Sequence, residues 1–107
     1  MRKAKLDKLH QELMDMAERL SLASPLSEWE TFRQGVASYL AEVKKHYLSR
    51  RSRVPDRAGN QRLLVLIEQA DKELSALSLE FLISAQDDLD VLARLKRLTG
   101  LLLDIRS

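Results

Sequence analysis

Six cations crowd into the fourteen residues from Lys44 to Arg57: Lys44, Lys45, Arg50, Arg51, Arg53 and Arg57, against the single carboxylate of Asp56. Side chains of this type at this density do electrostatic rather than covalent chemistry. They can contact the phosphates of a nucleic acid or dock an acidic protein surface. They also suit a solvated connection between two helices, with arginines lying near the carbonyls that end the first of them. Apart from Tyr47 at the edge, no aromatic ring interleaves the arginines, which disfavours stacking on single-stranded bases.

Other reactive side chains are present without the spacing that chemistry needs. His10 and His46 belong to no His-x-x-x-His or Glu-x-x-His pair, so no metal site is expected, and each reads as a boundary or partly buried histidine. Carboxylates cluster at Glu68 and Asp71 and at Asp87, Asp88 and Asp90. Glu68 precedes Lys72, and Asp90 precedes Arg94, by four residues, the spacing of ordinary surface pairs on a helix. None of the 10 serines lies in a G-x-S-x-G elbow, and the 3 glycines are isolated rather than gathered into a phosphate loop. Without cysteine, disulfide and thiolate chemistry are excluded. The expectation is a non-enzymatic protein with no cofactor and no metal.

The elements that must position the basic stretch are helices. The 107 residues are one domain's worth, with 45% hydrophobic and 32% charged residues, only 3 Gly and 2 Pro, and an abundance of leucine. Leu6, Leu9, Leu13, Met16 and Leu20 are spaced 3, 4, 3, 4 and predict a first helix over about 3–22. Ser24-Pro25 interrupts it. Ser24, or Ser27 with Glu30 as a capping box, is expected to start a second helix. On that helix Trp29, Phe32, Val36, Tyr39 and Val43 repeat the same spacing. It carries 4 of the 5 aromatic residues and should sit centrally. Pro55 pushes Val54 out of helical geometry, so residues 49–59 are expected as a basic interhelix loop. A third helix then starts at Pro55 or is capped by Asn60, with Leu63, Ile67, Ala70, Leu74, Leu77 and Phe81 as its seam. SAQDD, residues 84–88, is read as a turn, with Ser84 or Asp87 capping a fourth helix that carries Val91, Leu95, Leu98, Leu102 and Ile105.

The fold class is therefore all-α: an antiparallel bundle of four helices in a single domain over 1–107. The alternative is three helices, the last one very long. Leu98, Leu101, Leu102 and Leu103 look too many for one monomer to cover and are expected at a protein interface, with a homodimer as its simplest form. The function expected is that of an adaptor or chaperone-like bundle binding a protein partner through leucine-rich faces. Nucleic-acid binding through residues 44–57 is the alternative. No apolar run approaches the ~18 residues of a membrane span, and a cytoplasmic location is expected. Net charge is +2, and its division along the chain looks mild: residues 1–57 hold 12 Lys/Arg and 8 Asp/Glu, residues 58–107 hold 6 and 8.

Overall fold

Stripes of apolar residues three and four apart need burial along one side of each rod, and four such rods bury one another. In the computed structural model, which describes residues 3–53 and 56–106, the helices are α1 (Lys3–Arg19), α2 (Leu26–Arg53), α3 (Arg57–Ala76), α4 (Leu79–Ser84) and α5 (Asp88–Arg106). No strand occurs among the described residues. α1 and α3 each pack against both α2 and α5, which closes a ring of four rods. The beginning of α1 lies by the end of α5, and the beginning of α5 lies by the α1–α2 connection, so the rods alternate in direction. The particle measures 47 × 23 × 18 Å. This is the expected antiparallel bundle, with one short helix, α4, inserted before the last rod and packed on α2.

The core is the set of seams. Trp29, Phe32, Val36, Tyr39 and Val43 are all buried, with Leu13, Leu20, Ile67, Ala70, Leu77, Val91, Leu95, Leu98 and Leu102 from the other seams, and Leu40, Tyr47 and Leu82 complete the core. Burying a large apolar side chain of this kind stabilises the fold by roughly 1.5–3 kcal/mol. Trp29 meets Phe32 edge-on at 6.4 Å and donates its indole N–H to the Ser21 carbonyl at 3.1 Å, which fixes the chain entering α2. Gly35 admits α1: a Cβ there would stand 2.8 Å from Leu13 Cδ2. The close approach at this glycine is made by a side chain of α1 rather than by its backbone.

Several boundaries differ from the expected ones. Neither Ser24 nor Ser27 caps α2. The Pro25 carbonyl accepts from the amides of Glu28 and Trp29, Ser24 Oγ accepts from the Ser21 amide, and Ser27 lies within the first turn. Asn60 does not cap α3. It is buried inside that helix, and Asp56 caps instead, its carboxylate accepting from the Gly59 amide at 3.0 Å. The start at Pro55 and the distortion at Val54 lie outside the described residues. The long interhelix loop of 49–59 is mostly helix: α2 continues to Arg53 and α3 resumes at Arg57. The physical reason is that arginine is a good helix former and the arginines at the end of α2 complement its negative pole.

The SAQDD turn does separate two helices. Asp87 caps α5 by accepting from the Leu89 amide at 2.9 Å. A further break at Leu77–Ser78 ends α3 early, and Ser78 Oγ caps α4 through the Phe81 amide at 3.1 Å. One continuous helix over the last third is therefore ruled out. Gly100 lies inside α5 rather than ending it. None of the helices among the described residues is long and apolar enough to cross a membrane.

Candidate functional site

The alternation of helix direction brings four chain segments to one end of the bundle: the start of α1, the second half of α2, the first half of α3 and the end of α5. They enclose a cleft of about 410 Å³. Leu6, Val43, Leu63, Leu66 and Ile105 line it with aliphatic surface, and Tyr39 contributes its ring. Arg50, Arg62, Arg106 and His46 supply donors around them, and Asp7 and Asp104 are the acids. The cleft lies along the inner face of the α2–α3 hairpin, with the early turns of α1 and the last turn of α5 completing its wall.

Two ion pairs hold this end in shape. Arg106 on α5 bridges to Asp7 on α1 at 3.3 Å. Arg50 reaches Asp56 at 3.2 Å while the other oxygen of that carboxylate takes the Gly59 amide, so one acid secures the hairpin and caps α3. A Cβ on Gly59 would collide with the Asp56 carboxylate and close on Arg50, so a larger residue here would have to push that carboxylate aside. Both pairs are partly exposed, and solvent screens them.

His10 lies one turn further along α1 than Leu6 and Asp7 and is 1% exposed. Neither of its ring nitrogens has a hydrogen-bond partner among the described residues, and its ring lies 6.0 Å from that of Tyr39. Burial lowers the His10 pKa below its ordinary value, and the nearby Arg106 adds to this. Burial also pushes the Tyr39 phenol up to about 12. His10 was expected at the edge of the first seam. It is instead a fully enclosed neutral imidazole, which suits packing rather than proton transfer. No group of three or more His, Asp and Glu side chains among the described residues could hold a metal ion.

The expected site residues fare differently. Lys44 is held by Asp71 at 2.8 Å and Lys45 lies 3.5 Å from Glu42, so both are engaged within the fold. Arg50 is tied to Asp56. Arg53 donates to the Ser49 carbonyl from an exposed position at the end of α2. Arg51 and Arg57 are exposed, form no ion pair among the described residues, and share a second depression beside the cleft with Tyr47, Asn60 and Leu64. The four leucines expected at an interface differ in exposure. Leu98 and Leu102 are both fully buried in the monomer's own core, Leu101 is half-buried, and only Leu103 is substantially exposed, at 51%. Leu98, Leu101 and Leu102, three and four residues apart, share one side of α5, whereas Leu103 is turned about 100° further round from Leu102 and faces outward.

Sequence reasoning missed Arg62, Arg106 and the cleft itself, and above all the gathering of charge. Residues 4–8, 44–53, 56–66 and 104–106, the segments at this end, hold 10 Lys/Arg and 3 Asp/Glu, a balance of +7. The rest of the described chain beyond Lys3, residues 9–43 and 67–103, holds 6 and 13, a balance of −7. A nearly neutral protein is thus strongly polar along its length. At the opposite end, residues 79–93 contain Glu80, Asp87, Asp88 and Asp90 with no Lys or Arg among them. The next cation, Arg94, lies 4.9 Å over the Phe81 ring.

Comparison with curated proteins gives no match, and comparison with solved structures gives none either. One family model, described as "Protein of unknown function (DUF327)", matches residues 1–106, nearly the whole length of the bundle and both of its ends. The chain belongs to the DUF327 family.

Proposed function

We propose that this protein is a non-enzymatic interaction module whose basic end docks an acidic protein partner. The observation that carries the reading is the cleft, where an aliphatic floor is bordered by Arg50, Arg62 and Arg106 at the end of balance +7. An apolar groove bordered by guanidinium groups suits a peptide or helix that presents apolar side chains among carboxylates. Arginine pairs with carboxylates bidentately and is less strongly hydrated than lysine, so it serves such an interface well. Relocating the docking surface from the α5 leucines to this end follows from the burial of Leu98 and Leu102.

Nucleic acid is the other anionic candidate. The aromatic rings nearest this end, Tyr39 and Tyr47, are both buried, so no exposed stacking platform accompanies the arginines. An aliphatic floor also offers nothing to a phosphate backbone.

The test is a fluorescence-anisotropy titration of the purified protein with two labelled probes: an acidic peptide of alternating Glu and Leu residues, and a duplex DNA of mixed sequence. The peptide should bind, and Arg57→Glu with Arg62→Glu should weaken it by at least about tenfold. Binding of the DNA with a steep salt dependence, and none of the peptide, would transfer the function to nucleic acid. Binding of neither probe would remove the docking role.

A further inference from the structure

We infer that the acidic tip of a second copy of this chain docks in the basic cleft, so that the protein associates head to tail with itself. This rests on the docking reading above and names its partner. The tip is built around the three-residue connection between α4 and α5. Ile83 and Leu89 flank that connection and are 69% and 73% exposed, the two most exposed large hydrophobic side chains among the described residues. Around them stand Glu80, Asp87, Asp88 and Asp90. Leu26, 42% exposed, lies at the start of α2, and the Leu22 amide donates to Asp88 Oδ1 at 3.0 Å, which fastens the α1–α2 connection to the same end.

The two ends are complementary in both form and charge. One offers two projecting aliphatic side chains among four carboxylates. The other offers an aliphatic hollow among arginines. The two ends cannot meet within one chain, because the alternating rods hold them at opposite ends of a particle 47 Å long. Contact between unlike ends is heterologous. It either closes as an antiparallel pair, which makes the contact twice, or continues from copy to copy. Both forms give the self-association expected from the sequence, through the ends of the bundle rather than through Leu98 to Leu103.

Sedimentation velocity of the full chain over a range of concentrations at low and high salt tests this, with circular dichroism confirming that each variant folds. Arg57→Glu with Arg62→Glu lowers the balance of the basic end from +7 to +3 without touching either ion pair that shapes it. Glu80→Lys with Asp90→Lys brings the four-carboxylate tip to a balance of zero while sparing the Asp87 cap and the Asp88 bond. The wild type should exceed its monomer mass of 12.3 kDa increasingly with concentration, and salt should reverse this. Each double variant alone should associate at least about tenfold more weakly. An equimolar mixture of the two should regain association, because the unaltered tip of one variant then meets the unaltered cleft of the other.

A wild type that stays monomeric, association that neither double variant weakens, or a mixture no heavier than its components overturns the inference. If the wild type is monomeric yet binds the Glu-Leu peptide in an arginine-dependent way, self-docking fails and the docking role stands. If it binds neither, both fail.

Discussion

The rings of His10 and Tyr39 face each other 6.0 Å apart, tilted by 54°, beneath the cleft at the basic end. His10 is enclosed there without a hydrogen-bond partner for either nitrogen among the described residues, so the fold favours the neutral imidazole over the charged one.

A pH dependence follows. His10 has a folded-state pKa below its unfolded value of 6.5. As pH falls through that value the unfolded chain takes up a proton before the folded one does. Its contribution to stability is therefore full above about pH 6.5 and is lost progressively below it, down through the folded-state pKa. Urea denaturation at about pH 7.5 and about pH 5.5 measures the loss. His10→Leu removes both the titration and the unsatisfied nitrogens. It should equal or exceed the wild type by about 1 kcal/mol at neutral pH, with a larger advantage in acid. An advantage that does not change with pH would contradict this.

The last helix separates core from surface among adjacent leucines. Leu98→Ala and Leu102→Ala should each cost about 2–5 kcal/mol, because both side chains are fully enclosed. Leu103→Ala should stay within about 0.5 kcal/mol, because that side chain is half in water. Chemical denaturation of the three variants checks the order. A cost at Leu103 equal to that at Leu98 would mean that another surface covers it.

Gly100 offers a stabilising substitution. It lies inside α5 with helical neighbours on both sides, and a Cβ there would meet nothing within 4 Å. Gly100→Ala should raise stability by about 0.5–1 kcal/mol through helix propensity and the reduced freedom of the unfolded chain. A lower melting temperature would show that the position is packed against something outside this chain.

Much of the architecture was legible because periodicity reports directly on burial. Trp29, Phe32, Val36, Tyr39 and Val43 step evenly, and all five are buried. Asp87 was readable as a cap because a short side-chain acceptor precedes an apolar-periodic run. The break at Ser78 was hidden because Leu77 and Phe81 keep helical spacing across it, so the seam looks continuous while the backbone turns. Asp56 carries the same type of signal as Asp87, but Pro55 and Asn60 on either side of it are competing start signals. The burial of Leu98 and Leu102 followed from the seam, but the crowd of leucines around Gly100 drew attention to composition rather than direction. The candidate site was the least legible part. Lys5, Arg50, Arg62 and Arg106 are far apart in sequence, and no window holds them. Only the alternation of four rods collects them, and a count over successive halves of the chain averages them away.

Docking at the basic end is tested most directly by amide NMR spectra of the ¹⁵N-labelled protein during titration with the Glu-Leu peptide. Shifts should concentrate on Asp7, on Val43 to Arg53, on Gly59 to Leu66 and on Asp104 to Arg106, and should fade as salt is added. Shifts centred on the outer face of α5 around Leu103, with the α2–α3 hairpin unmoved, would contradict it.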